Sequence, residues 1–311
     1  MMSEAIRFRG VIPPVTTPFL AEGAVLYDVL EENLRKYLNT VAAGFLLLGS
    51  NGEAPHLSPS EKLEIVRRSG AIIPADRYLL VGVASQTLVE TVDFLGKIRE
   101  LRVDAVLVSV PAYYKDRMNE EALHRYFVEV GNRSDFPVLL YNIPQFTGIE
   151  IPPGLVGELA SHHNIVGMKD SSGSVGYLER ILEQTQDEDF QVILGSAGIL
   201  GPALVLGIEA AILAVACVLP GLPHRLMKDY QEGADIRNRQ FQLAQVSRCV
   251  TDDHGIPGLK YAMDLLGFEG GESRLPLLPL GEDQKVDVER VFGPLLNPGG
   301  PGAGKDIELS T

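Results

Sequence analysis

The amino-acid sequence predicts a (β/α)8 barrel of the α/β class, a TIM barrel with additional C-terminal helices. Three observations carry that prediction. Short runs rich in Val, Ile and Leu recur without polar alternation, as strands buried on both faces read. Stretches with helical spacing of polar and apolar residues separate them. The runs number eight, which favours closure over an open doubly wound sheet with the same local grammar.

The runs are GVIPPV from Gly10, GFLLLG from Gly44, YLLVGV from Tyr78, DAVLVSV from Asp104, PVLLYNI from Pro137, NIVGMK from Asn164, QVILG from Gln191 and AAILAV from Ala210. Between them, DVLEENLRKYLNTV, SEKLEIVRRSGAI, TLVETVDFLGKIREL and NEEALHRYFVEVGN predict helices. The second of these is the best marked, with Ser58 as N-cap, Pro59 in the first turn and Glu61 as capping-box partner. After the eighth strand, HRLMKDYQEGADIRNRQFQLAQVSRCV and IPGLKYAMDLLG read as further helices. Residues 1–218 are therefore expected to form the barrel, 219–295 a helical extension packed on it, and the Gly/Pro-rich 296–311 a flexible tail. Gly299–Lys305 spells G-x-x-x-x-G-K, but Asp306 follows in place of Ser/Thr and neither a strand nor a helix flanks it, so it does not read as a P-loop.

Composition narrows the function. Among 311 residues, 45% are hydrophobic and 22% charged, as in soluble packed proteins. A net charge of -14 with no Lys/Arg run argues against nucleic acid as a partner. Cys217 and Cys249 are too few for a disulfide framework, which suits a reducing compartment. The start MMSEAIRFRG lacks a signal or transit pattern. The apolar stretch LGPALVLGIEAAILAVACVLPGLP is interrupted by Gly207, Glu209, Pro220 and Pro223, so no membrane span is expected. The expected location is cytoplasmic, with a mitochondrial one left open. His56, His124, His162, His163, His224 and His254 lack metal-ligand spacing, and the adjacent His162 and His163 are expected to point apart. No metal is expected.

The working face of such a barrel lies at the C-terminal ends of its strands. There the chain places Ser50, Asn51 and Glu53 in GSNGE, Tyr113 and Tyr114 in PAYYK, Tyr141 in LLYNIP, Lys169 in GMKDSSG and Ser196 in GSAG. A lysine ending an apolar strand can snorkel to solvent or pair with Asp170. Alternatively, desolvation disfavours the ammonium and leaves an amine able to form a Schiff base with a carbonyl. Imine formation needs a proton donor for the departing hydroxyl. Tyr141, relayed through Ser50 and a second tyrosine, Tyr113 or else Tyr114, meets that need, although a core tyrosine is the plain alternative. The GSNGE turn can hold a carboxylate through its amides and the Ser50 and Asn51 side chains. GSAG can equally hold a phosphate. Glu53 and Asp170 read as caps or ion-pair partners.

Taken together, PPVTTPF, GSNGEAPHLSPSEKLEIV, PAYYKDRM, YNIPQFTG, GMKDSSG and GSAG, in this order, resemble the pyruvate-dependent class I aldolases and lyases that include dihydrodipicolinate synthase and N-acetylneuraminate lyase. The resemblance implies that Lys169 is the Schiff-base lysine, Tyr141 the proton-shuttling tyrosine and Ser50 the relay, with Ser50 and Asn51 holding the carboxylate of a 2-oxo acid. It also implies that Tyr113 enters a neighbouring subunit's site, hence a dimer or, more usually, a homotetramer, and that no cofactor is needed beyond the covalent imine. The synthase branch carries an arginine in the strand-five motif where this chain has Gln145-Phe146. GSNGE, YYKDRM and VGMKDSSG look closest to the 4-hydroxy-2-oxoglutarate aldolase branch, with Ser171 contacting substrate. A 2-keto-3-deoxy-sugar-acid aldolase, a dihydrodipicolinate synthase condensing pyruvate with aspartate semialdehyde, a phosphate-binding barrel and a silent 2-oxo-acid-binding barrel are the rival readings.

Overall fold

Each of the eight apolar runs becomes a strand of one parallel sheet in the computed structural model, which describes residues 6–296. The strands are β1 (Gly10–Ile12), β2 (Gly44–Leu47), β3 (Tyr78–Val83), β4 (Ala105–Ser109), β5 (Val138–Asn142), β6 (Ile165–Asp170), β7 (Gln191–Leu194) and β8 (Ala210–Ile212). The connections carry α1 (Tyr27–Leu38), α2 (Pro59–Ile72), α3 (Leu88–Ile98), α4 (Glu120–Arg133), α5 (Pro144–Thr147), α6 (Pro153–Ala160), α7 (Val175–Gln184) and α8 (Leu200–Val205). Then follow α9 (Gly221–Gln231), α10 (Arg237–Arg248), α11 (Gly255–Leu265) and α12 (Glu282–Leu296).

From β2 to β8 each strand pairs with its sequence neighbour, and β1 pairs with β8 in register Val11↔Ala211. A Pro14↔Leu46 bridge, with Ala43 N–H donating to Val11 O at 2.8 Å, joins β1 to β2 and closes the barrel. β1 stops after three residues because Pro13 and Pro14 have no N–H to extend the ladder. Closure explains why the strands lack polar alternation. Ile12, Leu46, Leu80, Leu107, Leu139, Ile193 and Ile212 pack together as one buried cluster inside the barrel. Val11, Phe45, Val81, Val106, Val138 and Leu194 belong to a second cluster under the helices.

Local signals are obeyed at the start of α2. Ser58 N–H donates to Glu61 Oε2 at 2.8 Å and Glu61 N–H to Ser58 Oγ at 3.3 Å, a complete capping box. The helical stretch expected after β8 is two helices, α9 and α10, parted near Gly233, whose φ of 75° only glycine adopts freely. One expectation fails: the His162 and His163 rings stack, with centroids 4.6 Å apart. These residues lie in a turn rather than an extended strand, so neighbouring side chains need not alternate. Among the described residues no helix is long and apolar enough to cross a membrane. The expected tail and its G-x-x-x-x-G-K run lie outside the described residues, apart from Leu296 at the end of α12.

The segment between α11 and α12 is tied back to the barrel by Arg274. Its guanidinium donates to Glu61 Oε1 at 2.7 Å and Oε2 at 3.0 Å, and also to the carbonyls of His56 and Gly23. The Arg274 bonds, helped by those from Ser58, hold the Glu61 carboxyl at about 2, below its ordinary 4.5. A carboxyl depressed on folding stabilises fully above its unfolded value and loses that contribution as pH falls through the folded one. The stability difference between wild type and Arg274→Gln, measured by urea unfolding, is therefore expected to be constant at neutral pH. It should narrow between pH 4.5 and about 2, leaving the part that comes from the two carbonyl bonds.

Candidate active site

Parallel pairing of β5 and β6 sets Tyr141 directly beside Lys169. Both side chains enter the barrel at the C-terminal ends of their strands. Lys169 is 5% exposed, and its Nζ lies 3.5 Å from Tyr141 Oη and 4.7 Å from the ring centroid. Tyr141 Oη in turn lies 3.3 Å from Ser50 Oγ. Lysine amine, phenol and serine hydroxyl thus form one chain of groups able to pass protons.

The strands end at Asn142 and Asp170, one residue beyond Tyr141 and Lys169. Side chains alternate along a strand, so these two face away from the lumen. Asn142 Nδ2 donates to Asp170 Oδ1 at 2.8 Å, and Ser172 Oγ to Asp170 Oδ2 at 2.8 Å. Burial raises the Asp170 carboxyl above its usual range while these hydrogen bonds oppose the rise. Asp170 therefore clamps β5 to β6 behind the site instead of pairing with Lys169.

The loop after β2 is held by unusual means. Leu48 and Glu53 both have positive φ, 54° and 53°, a costly conformation for residues with side chains. Glu53 is buried, and its Oε1 lies 2.6 Å from Lys260 Nζ of α11. Its Oε2 accepts the Arg274 N–H at 2.9 Å and lies 3.1 Å from His56 Nδ1. Lys260 Nζ also donates to the carbonyls of Thr17 at 2.7 Å and Glu272 at 2.6 Å. Burial lowers the pKa of Lys260, and Glu53 opposes that shift. The residues that would receive a carboxylate, Ser50 and Asn51, are thus anchored from the far end of the chain.

Ser50, Asn51, Tyr141, Gln145, Lys169 and Ser171 line a cavity of about 130 Å³. Gln145 Nε2 donates to Ser171 O at 3.0 Å. Room is tight at its floor. A Cβ added to Gly195 would fall 2.0 Å from Ser171 Oγ and 2.9 Å from Lys169 Cε. Ser196 lines instead an adjoining cavity of about 440 Å³, which Gln145 and Ser171 also border. Tyr113 borders neither; it is 78% exposed and packs edge-to-face on Tyr114. Among the described residues no three His, Cys, Asp or Glu side chains are grouped as a metal site would need.

The model of the dihydrodipicolinate synthetase family matches residues 7–293. The chain belongs to that family. The family is one of class I aldolases and lyases, and this chain is an enzyme of that kind, pyruvate-dependent. Curated relatives include the 4-hydroxy-tetrahydrodipicolinate synthase of Methanothrix thermoacetophila, 31% identical with 92% of this chain and 96% of the relative aligned. That of Methanosphaerula palustris is 32% identical over 92% of this chain and 98% of its own. Among solved structures, a dihydrodipicolinate synthase from Bacillus anthracis superposes with a TM-score of 0.88 at 26% identity, covering 93% of this chain and 98% of that one. A prophage protein of the family from E. coli K12, solved in complex with pyruvate, gives 0.85 at 28% identity, covering 93% and 98%.

Two features of this family member escape the sequence reading. One is Lys260 as the counter-charge of Glu53, for which the only local hint is a lysine between the buried Leu259 and Ala262. The other is the segment after α10, a π-helical turn over Cys249–Asp253, whose Val250, Thr251 and Asp252 line the Lys169 cavity. Turns of this kind occur frequently at functional sites.

Proposed function

We propose that this enzyme cleaves a 4-hydroxy-2-oxo acid, of the 4-hydroxy-2-oxoglutarate kind, to pyruvate and an aldehyde through an imine on Lys169. The observation that carries the proposal is the chain from Lys169 Nζ through Tyr141 Oη to Ser50 Oγ, with steps of 3.5 and 3.3 Å, at the mouth of a buried cavity. The Lys169 amine attacks the C2 ketone, and Tyr141 protonates the departing hydroxyl as water leaves. The iminium draws electrons from the C3–C4 bond as the 4-hydroxyl loses its proton, releasing the aldehyde. The enamine is then protonated at C3 and hydrolysed to pyruvate. Ser50 and Asn51 hold the C1 carboxylate, and Ser171, Gln145 and Ser196 face the aldehyde half. No cofactor enters this sequence.

Tyr113 completes the relay in this proposal from a second copy of the chain, as a homodimer or homotetramer would allow. Its exposure and its place outside the lining of its own chain's cavity support that assignment. The names of the curated relatives favour a second reading, condensation of pyruvate with aspartate semialdehyde. Against it stands Gln145 in the motif where the synthase branch carries an arginine. A coupled pyruvate-release assay across 4-hydroxy-2-oxoglutarate, 2-keto-3-deoxy sugar acids and N-acetylneuraminate, with the synthase assay alongside, separates the readings. The expected result is fastest release from 4-hydroxy-2-oxoglutarate. Synthase activity exceeding every cleavage rate would overturn the proposal.

A further inference from the structure

The cavity of about 440 Å³ beside the Lys169 site shares Gln145, Ser171, Gly195, Ala214, Thr251 and Asp252 with it, so one ligand can occupy both. Its further wall is made by α10 and the π-helical turn, through Ser247 and Arg248. Arg248 is the only cationic side chain on that wall and, among the described residues, makes no ion pair or side-chain hydrogen bond. The same holds for the hydroxyls of Ser171, Ser196 and Ser247. Ser172 differs, since its hydroxyl is committed to Asp170. The opposing charge is Asp252, whose Oδ1 accepts from Thr251 Oγ1 at 3.2 Å. An unpaired guanidinium with three free hydroxyls is a donor set for an anion. Its place beyond Lys169 is where the far end of a bound 2-oxo acid would lie.

We propose that Arg248 receives the terminal carboxylate of the aldehyde half, which makes the substrates dicarboxylic 2-oxo acids. The assignment rests on the imine reading of Lys169 and names the specificity of the same site. It replaces the missing strand-five arginine with one from a different element. Asp252, on the same rim, weakens the attraction and sets its strength.

The test compares 2-oxoglutarate with 2-oxopentanoate, which differ only in the far carboxylate and cannot undergo the cleavage, by calorimetric binding to the full-length enzyme. Wild type is expected to prefer the diacid. Arg248→Gln should lower the diacid-to-monoacid affinity ratio about tenfold or more, Arg248→Lys should lower it less, and Asp252→Asn should raise it. An unchanged ratio in Arg248→Gln, or equal losses for both acids, would overturn the assignment. Pyruvate release from 4-hydroxy-2-oxoglutarate is measured in parallel. Release with an unmoved ratio refutes the role of Arg248 alone, whereas a moved ratio without release refutes the cleavage reading and leaves Arg248 standing.

Discussion

Lys169→Met is expected to form no borohydride-stable adduct with pyruvate and to lower kcat by about 10³-fold or more, the scale of losing an activated nucleophile. Methionine matches the lysine stem in volume and apolar character, so the barrel should keep its melting temperature. Tyr141→Phe keeps the ring over which the amine lies and removes only the hydroxyl bridging Lys169 and Ser50. Its expected loss is about 10²–10⁴-fold, the usual contribution of a positioned proton donor. Adduct should still accumulate, only more slowly. Mass spectrometry of trypsin-digested, borohydride-treated enzyme checks both variants. An adduct on a peptide other than that containing Lys169, or full activity in Lys169→Met, would remove the mechanism.

The second large effect concerns Lys260. Removing one partner of a buried ion pair leaves the other charge uncompensated and costs about 3–5 kcal/mol. Lys260→Met leaves Glu53 buried with only the Arg274 amide and His56 beside it, and also strips the carbonyls of Thr17 and Glu272 of a donor. The melting temperature should fall by on the order of 6–12 °C. The double variant Glu53→Gln with Lys260→Met should recover part of that loss, because the stranded charge is gone. Activity should not recover with it, since a neutral amide side chain that has lost its lysine partner no longer holds the turn at Ser50 and Asn51. Thermal unfolding with pyruvate-release kinetics on the wild type and both variants reads both quantities. Complete recovery of activity in the double variant would mean that the pair stabilises the fold without shaping the loop.

The barrel was legible because strands buried on both faces must be apolar throughout, and eight such runs separated by helical spacing have few ways to pack. Lys169 stood out as a long cationic side chain ending such a run, although snorkelling to solvent or a pair with Asp170 would also place one there. Tyr141 followed from its place at the same end of the neighbouring run. The sixth strand's boundary slipped by one residue at Asp170, because its side chain fulfils hydrogen bonds behind the sheet and is as well buried as Val or Ile would be. Glu53 was read as a cap or an ion-pair partner, and it is an ion-pair partner, but nothing near it in sequence names Lys260. Arg248 was invisible. The helical pattern continues through it, and only the way α10 packs across the end of the barrel brings it to the cavity wall.

The tie between Glu53 and Lys260 also orders events in time. During synthesis the first six strands, with Lys169 and Tyr141 among them, emerge and can begin to pair before α11 exists. The turn at Ser50 and Asn51 is among the earliest parts of the site to be made, yet its counter-charge arrives only when Lys260 does. Until then Glu53 has every reason to remain in water, and the left-handed backbone at Leu48 and Glu53 has little to hold it. The nucleophile is thus built early, and the pocket that would present a carboxylate to it is finished late.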